Sequence, residues 1–205
     1  IYAKEFLNKD IKNSVFFANN FVKEVISLPL ANVNRENILY NFNQMFYTDA
    51  LTGLYNRSYV NQWLDTHIIS NCAVISFDLD HFKRINDTYG HDVGDLALKA
   101  FADILKKNTR DTDVVARMGG EEFIVIMDNG GNAEIVADRI RQQTEQNEIL
   151  IGDEILKFTV SCGIVKTNYI SKELFPDIYR QVDNALYEAK NSGRNKIVVL
   201  DLEDK

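Results

Sequence analysis

Carboxylates stand at two places in this chain where strand signals meet turn signals. Glu121 and Glu122 directly follow the glycine pair of VVARMGGEEFIVIM, residues 114–127, and strand-forming residues flank those glycines on both sides. This pattern predicts a β-hairpin with a tight turn. Asp78 and Asp80 lie two residues apart at the exit of a second apolar run, VISFDLDHF, so they share a face of an extended chain. If the two strands pair, the glutamates come close to Asp78.

Carboxylates that cluster in this way repel one another unless a proton or a cation lies between them. Oxygen ligands without His or Cys suit Mg²⁺ rather than zinc, and Mg²⁺ held by a few carboxylates completes its shell with substrate phosphates. The pattern therefore predicts metal-assisted phosphoryl transfer. For Asp78 alone the alternative stays open that it is a turn residue or a helix cap.

A phosphate substrate also needs cationic side chains, and the chain has no G-x-x-x-x-G-K-[ST] loop to supply them. The candidates are Lys83, just after the acidic strand, and the pair Lys190 and Arg194, at and just beyond the end of the last predicted helix. Favourable placement at a helix C-terminus would explain Lys190 equally well.

The segment NDTYGHDVGD, residues 86–95, is predicted to be a loop that enters a helix. It contains Asn86, His91 and Asp95. A carboxylate can accept from the N1–H and N2–H of guanine, and an amide can address its O6 or N7. Turn chemistry by Asn86 and helix capping by Asp95 remain the alternative.

The elements that must position these residues alternate between helical and strand patterns from about residue 48 onward. This order predicts an α/β fold, with a mixed central β-sheet covered by helices. The predicted helices are SYVNQWLDTHI, GDLALKAFADILKK, NAEIVADRIRQQTEQ and PDIYRQVDNALYEAKNSG, and the predicted strands are CAVISFDL, the two arms of the hairpin, KFTVSCGIVKT and KIVVL.

Residues 1–47 differ from the rest, because they are Asn-rich, helix-compatible and without a chemical motif. They predict an N-terminal helical extension: a connector, or the tail of an upstream sensory region. The first residue is Ile rather than Met, so we expect a fragment of a longer protein. Residues 48–205 are expected to form the functional domain.

Composition restricts the class of protein. The 205 residues are 45% apolar and 26% charged, which suits one globular domain with some additional structure. The net charge of -7 disfavours a nucleic-acid surface. The two cysteines, Cys72 and Cys162, predict a reducing compartment rather than a disulfide framework. No apolar run is long enough to span a membrane, so any membrane attachment is expected only through an upstream region.

Together these segments resemble the GGDEF domain family of diguanylate cyclases, which condense two GTP into cyclic di-GMP. The likeness covers nearly all of residues 48–200, in the family's order. It rests on DALTGLYNR (49–57), FDLDHFKRINDTYGHDVGD (77–95), RMGGEEF (117–123), TVSCGI (159–164) and DNALYEAKNSGRNK (183–196). Ser58 stands where many relatives carry Arg, and residues 1–47 lie outside the family pattern.

The resemblance implies a role for each acidic residue. It identifies Asp78 as a metal ligand together with the backbone carbonyl of Leu79. Glu121 is expected to bind Mg²⁺, with Mn²⁺ as a substitute, and to help activate the attacking 3′-hydroxyl. Glu122 is expected to be a further ligand. Lys83 is expected to stabilise charge in the transition state.

The resemblance further implies that Asn86, His91 and Asp95 bind GTP, with Asn86 and Asp95 on guanine. Lys190 and Arg194 are expected to reach the distal phosphates. One domain is expected to hold one GTP, so catalysis should require a homodimer. A cytoplasmic location is expected.

A second site is implied by RDTD, in which Arg110 and Asp113 match the family's inhibitory R-x-x-D site for cyclic di-GMP. Five residues separate Asp113 from Gly119, which is the family's register. An ordinary surface ion pair is the alternative. Two other functions also stay open: a catalytically silent cyclic di-GMP receptor, and a GTP-sensing interaction module. Both predict binding without release of pyrophosphate.

Overall fold

The computed structural model of the chain describes residues 45–201, with only the backbone described for Asp201. The chain divides into two units, Ile1–Phe46 and Tyr47–Lys205, and the helices and strands described below lie in the second. Of the predicted helices of residues 1–47, only residues 45–47 lie in the described part of the chain, where they are helical. Residues 1–44 lie outside it, so the helices predicted there stay a prediction. No helix between residues 45 and 201 is long and apolar enough to cross a membrane.

A six-stranded sheet of mixed direction forms the centre of the second unit, as the alternating sequence pattern predicts. Its spatial order is β1-β3-β4-β2-β7-β8, in which β1–β3 and β7–β8 pair in parallel and the other neighbours are antiparallel. The strands are β1 (Tyr55–Asn56), β2 (Ile69–Leu79), β3 (Val114–Gly119), β4 (Glu122–Met127), β7 (Val160–Ile170) and β8 (Ile197–Asp201), and a separate hairpin consists of β5 (Ile149–Ile151) and β6 (Glu154–Leu156).

Helices cover both faces of the sheet. Every residue of β2 from Cys72 to Leu79 is therefore buried, whichever face its side chain lies on. Alternate residues of β2 belong to two different cores: Ile75 and Phe77 pack in one, and Cys72 and Val74 in the other. The helices are α1 (Arg57–Thr66), α2 (Phe82–Tyr89), α3 (His91–Asn108), α4 (Ala133–Gln146) and α5 (Phe175–Asn191).

Each helix contributes an apolar stripe to one of these cores. Phe101 of α3 packs edge-on against Phe77 of β2 and Phe123 of β4, with ring centroids 5.7 and 5.0 Å apart. On the opposite face, Val60 of α1 and Val182 of α5 are fully buried. The buried aromatic and aliphatic side chains therefore fix the helices against the strand ends that carry the polar residues.

Gly163 sets how closely α5 approaches the sheet. A Cβ at this position would lie 2.4 Å from both the Val182 carbonyl oxygen and the Leu186 amide nitrogen. The backbone of α5 therefore rests directly on β7 at this point, a close approach that only glycine permits. This contact fixes the distance between α5 and the sheet, and with it the position of Lys190 in the last turn of α5.

The predicted hairpin is confirmed, with Gly119 and Gly120 at its turn. Their φ angles are 148° and 51°, which glycine adopts without strain. The pairing of β3 with β4 shifts register between Arg117 and Gly119, and such an irregularity often re-aims a side chain beside a functional site. Glu121 is therefore presented at the tip of the turn rather than within a strand.

The structure corrects the prediction that residues 86–95 form a loop. Asn86 lies on α2, His91 is the first residue of α3, and Asp95 lies inside α3. Only Gly90, with φ of 87°, separates the two helices. The sequence did not predict α2, β1 or the β5–β6 hairpin. Strands β1, β5 and β6 have two or three residues each and α2 has eight, three of them charged. All four are shorter than the window of about 11 residues over which helical periodicity is counted.

Candidate active site

The end of β2 and the β3–β4 turn together border a small cavity of about 170 Å³. Two of its walls come from the start of α2 and from the end of α5 with the loop beyond it. Six of the residues that the sequence singles out line this cavity: Asp78, Leu79, Lys83, Glu121, Lys190 and Arg194. Residues up to 116 positions apart in sequence are thus brought to one place.

Asp78 is the buried acid of this cavity, with 4% of its surface exposed. It lies opposite Glu122 in the β2–β4 register, and its Oδ2 is 2.7 Å from the Nζ of Lys190. Burial raises the pKa of Asp78 to about 6; Lys190 opposes this shift, whereas the negative charges of Glu121 and Glu122 add to it. A buried carboxylate among other acids favours a bound cation.

Glu121 is tied to the same strand end through its backbone. Its carbonyl oxygen accepts a hydrogen bond of 3.4 Å from the Leu79 amide, and its side chain borders the cavity. Glu122 is exposed and does not line this cavity. Its charge nevertheless contributes to the raised pKa of Asp183 and of Tyr179, both on α5, where burial is the main cause. Both glutamates therefore act on Asp78 through their charge, but only Glu121 borders the cavity.

The donor set suits a hard divalent cation. Asp78 and Glu121 offer carboxylate oxygens to one cavity, and Mg²⁺ typically binds one or two carboxylates and takes its other ligands from water and phosphate. In the part of the chain from 45 to 201, no group of three or more His, Cys, Asp and Glu side chains is placed to hold a metal. The fit is therefore to an ion shared with a phosphate substrate.

Three cations surround the two acids. Lys83 extends from the first turn of α2, Lys190 from the last turn of α5, and Arg194 from the loop beyond it, with a left-handed φ of 62°. Asp80 also lines this cavity, so its three cations balance three acids in a chain of net charge -7. A divalent ion on the acids would leave the cations to pair with a polyanion such as a triphosphate.

Asp80 has a different task from Asp78, although the two were expected to share a face. Its carboxylate accepts hydrogen bonds from Thr159 Oγ1 at 2.7 Å, Ser161 Oγ at 2.6 Å and the Asn195 amide at 3.0 Å. It thereby fastens the loop that carries Arg194 to the ends of β2 and β7. The D-x-D spacing was the only sequence signal for this role.

Asn86 lies on α2 one turn after Phe82 and Lys83, and its side chain lies against Gly94 of α3. Its buried Oδ1 has no hydrogen-bond partner among residues 45–201, and a Cβ at Gly94 would come within 1.9 Å of it. Asp95 is half-buried and follows Gly94 directly, whereas His91 is exposed. These three residues are outside the lining of the cavity that contains Asp78. An unpaired buried acceptor calls for a donor.

Arg110 and Asp113 form a turn of their own before β3. The Arg110 amide donates to Asp113 Oδ2 at 2.9 Å, and the Asp113 amide donates to the Arg110 carbonyl at 3.0 Å. The Asp113 Oδ1 is buried and has no hydrogen-bond partner in the described part of the chain. Burial raises the pKa of Asp113, against the opposing effect of Arg110. No salt bridge between these two side chains is present in the described residues, which weakens the ion-pair alternative.

A hydrogen-bond network that the sequence did not predict supports the backbone of the β3–β4 turn. Arg117 donates through Nε to the Gly120 carbonyl at 2.9 Å and through Nη1 to Asp49 at 3.1 Å. Asp49 also accepts from the amide and the hydroxyl of Thr52, at 2.9 and 2.7 Å. The DALTGLYNR segment thus holds the backbone that presents Glu121. The sequence signal for this supporting role was the match of DALTGLYNR to the family pattern.

Comparisons with known proteins show the family of this chain. The family model described as "Diguanylate cyclase, GGDEF domain" matches residues 46–196. The chain is 34% identical over 194 residues to Diguanylate cyclase A of Treponema denticola, covering 89% of this chain and 51% of the relative. It is 42% identical over 167 residues to the probable diguanylate cyclase DgcT of Escherichia coli, covering 75% and 36%. The chain thus spans about half or less of the length of these relatives.

Solved structures give the same result. The diguanylate cyclase SiaD of Pseudomonas aeruginosa, solved with its activator SiaC, superimposes with a TM-score of 0.70 at 27% identity, over 97% of this chain and 81% of that one. The GGDEF domain of DgcB from Caulobacter crescentus, solved in complex with c-di-GMP, gives a TM-score of 0.66 at 27% identity, over 75% and 92%.

Proposed function

This chain belongs to the GGDEF diguanylate cyclase family, and we propose that it condenses two molecules of GTP into cyclic di-GMP with release of two pyrophosphates. The observation that carries the proposal is the shared cavity, in which Asp78 and Glu121 lie among Lys83, Lys190 and Arg194. Acids that suit a divalent ion, beside cations that suit a triphosphate, are the two requirements of phosphoryl transfer.

The reaction consists of two in-line displacements. In each, the 3′-hydroxyl oxygen of one nucleotide bonds to the α-phosphorus of the other, the bond from that phosphorus to the leaving pyrophosphate breaks, and the hydroxyl proton departs. Asp78, Glu121 and the Leu79 carbonyl would hold the Mg²⁺, with Glu122 as a further candidate. When bound, Mg²⁺ supplies charge neutralisation to the phosphates and acidifies the attacking hydroxyl.

The chain's own cations orient the phosphates. Lys190 and Arg194 border the cavity from the α5 side and are suited to the distal phosphates, whereas Lys83 approaches from α2 and is suited to charge that develops at the reacting phosphorus. Lys190 pairs with Asp78 at 2.7 Å. A substrate phosphate would compete with Asp78 for this lysine, which would leave the Asp78 carboxylate available to hold a divalent ion.

Guanine recognition is proposed for the α2–α3 side. The unpaired Oδ1 of Asn86 would accept a hydrogen bond from an N–H of the base, and the half-buried carboxylate of Asp95 would accept from another. His91 is exposed at the start of α3 and would contact the nucleotide from the solvent side. Because GTP is a nucleotide of the cytoplasm, we place the domain there.

The deciding experiment is incubation with GTP and Mg²⁺, followed by chromatography of the products. We expect cyclic di-GMP and pyrophosphate in a ratio of one to two. Glu121→Gln should abolish both products, and Glu154→Gln, an exposed glutamate of the β5–β6 hairpin, should leave them unchanged. Tight binding of GTP or cyclic di-GMP without pyrophosphate release would instead support a receptor.

Product inhibition is proposed at Arg110 and Asp113. The guanidinium of Arg110 is exposed, and the unpaired Oδ1 of Asp113 beside it can accept from a guanine N–H. Arg110→Ala should leave the initial rate intact and weaken inhibition by added cyclic di-GMP by about tenfold or more, since a charged hydrogen bond is lost. Progress curves with and without product measure this. Unchanged inhibition would contradict the assignment.

A further inference from the structure

A second and larger cavity, of about 430 Å³, opens on the other side of α2. It lies between α2, the segment 156–159 that leads from β6 into β7, and the C-terminal end of α4. Its volume is within the range of small-molecule sites. None of the proposed roles of the site residues uses it.

The floor of this cavity is part of the main hydrophobic core. Ile85, Leu156 and Phe158 line it, although they are only 7%, 6% and 5% exposed. Tyr89, with 38% exposure, adds a second aromatic ring at the edge. A flat apolar group seated here would cover both rings and gain contact with side chains that are already ordered.

Two exposed cations stand at the rim of the cavity. Arg84 and Lys157 stand on opposite walls, and the guanidinium of Arg84 has no hydrogen bond or ion pair with any residue from 45 to 201. Lys157 pairs with Glu148 at 2.8 Å, but both side chains are more than half exposed, so this pair contributes little. Two acids also belong to the lining, and both have partners. Glu145 accepts from Arg141 and Asn195, and Asp80 accepts three hydrogen bonds, from Thr159, Ser161 and the Asn195 amide.

The cavity adjoins the proposed active site. Asp80 and His81 line both cavities, and α2 presents Arg84 and Thr88 to this one while Lys83 faces the other. His81 begins α2 in a left-handed conformation, with φ of 57°. A ligand that fills the larger cavity therefore contacts the same short helix that carries a proposed catalytic lysine and Asn86.

We propose that this cavity is a regulatory site for a small, flat organic anion, whose rings rest on Ile85, Leu156 and Phe158 and whose acidic group pairs with Arg84 and Lys157. Its occupation shifts α2 and so changes the rate of the cyclase. The effect on rate rests on the proposed function, whereas the binding itself does not.

The probe for the test is 1-anilinonaphthalene-8-sulfonate, which combines fused rings with a sulfonate. Fluorescence titration of the full chain should show one saturable site. Arg84→Gln should weaken it roughly tenfold, since a charge-assisted hydrogen bond is lost. Thr88→Trp should weaken it at least as much, because the indole fills the cavity from the exposed face of α2. Lys99→Gln, an exposed change on α3, is the matched control.

Equal affinities of all four proteins would overturn the site, as would ¹⁵N spectra in which the saturating probe shifts no amide of residues 80–89, 145 and 156–159. Dimerisation that Thr88→Trp abolishes would show that a second copy of the chain covers the cavity instead. Pyrophosphate release that stays constant while the probe saturates would overturn the regulatory effect. Because fluorescence needs no turnover, failure of the proposed cyclase activity remains distinguishable from failure of the site.

Discussion

At the scale of single residues, Asp78 shows how a functional group can work against the stability of its own fold. Its carboxyl is buried, and burial raises its pKa from 3.8 to about 6. Between these two pH values the folded chain binds a proton that the unfolded chain does not. The free energy of unfolding therefore falls as the pH rises through this window and stays at the lower value above it.

Asp78→Asn removes this penalty. The variant should lose cyclase activity and gain about 1–2 kcal/mol of stability near neutral pH, less than the full shift implies because Lys190 loses its partner. The gain should shrink as the pH is lowered from about 7 to about 4.5. Urea unfolding at both pH values measures it. Asp103→Asn, at an exposed position of α3, should show no such difference, and a pH-independent gain in Asp78→Asn would contradict the explanation.

The sequence predicted the residues of the site better than their supports. Asp78, Glu121 and the cations follow from the chemistry that their types can perform, and a known family pattern assigns their roles. Asp80 and Asp49 were missed as supports because their partners are remote: Asp80 accepts from Asn195, 115 positions away, and Asp49 from Arg117, 68 positions away. No local spacing encodes such bonds.

At the scale of elements, the long strands and helices were predictable because β2, α3 and α5 bury continuous or periodic apolar residues. The α2 helix was not, since only Phe82 and Ile85 of its eight residues are buried. Its existence changes the interpretation of Asn86, which lies on a helix packed against another helix. The packing of α2 against α3 therefore fixes the position of the Asn86 amide.

Gly94→Ala tests that contact. A Cβ there would lie 1.9 Å from Asn86 Oδ1, so the amide must move away, while alanine itself favours the helix. The KM for GTP should rise about tenfold with little loss of stability, as expected when one buried hydrogen bond to the substrate is lost. Steady-state kinetics and thermal unfolding measure both. Gly131→Ala, where a Cβ meets only one atom at 3.7 Å, is the control; an unchanged KM in Gly94→Ala would show that Asn86 does not bind GTP.

The loop beyond α5 depends on Asp80 in a comparable way. In the wild-type chain, Asp80 accepts three hydrogen bonds through its two carboxylate oxygens. An asparagine here would keep one acceptor oxygen, whereas its amide nitrogen can only donate. At least one of the three donors would therefore lose its acceptor. We expect Asp80→Asn to cost about 1–3 kcal/mol of stability and to raise the KM for GTP, because Arg194 belongs to this loop. Urea unfolding and kinetics test the two effects, with Asp103→Asn again as the control. Full stability with normal kinetics would show that the loop is held by other contacts.

At the scale of the whole molecule, the chain is acidic, although three of its cations line one cavity. With a net charge of -7, two copies repel one another at long range, and only local complementarity or a bridging ligand can offset this. The cavity that contains Asp78 measures about 170 Å³, below the roughly 300–1,000 Å³ of typical small-molecule sites. It therefore accommodates the phosphates of one nucleotide at most, and we expect another surface to present the second nucleotide.

This requirement predicts that the specific rate depends on the concentration of the chain. If each copy presents one GTP, two copies must meet before the 3′-hydroxyl of one nucleotide can reach the α-phosphorus of the other. At saturating GTP, the rate per chain should fall in proportion to concentration once the chain is diluted below the dissociation constant of the dimer. Binding of a single non-hydrolysable GTP analogue needs only one copy, so its affinity should stay constant over the same dilution series. A constant specific rate in a sample that sedimentation shows to be monomeric would mean that one copy holds both nucleotides.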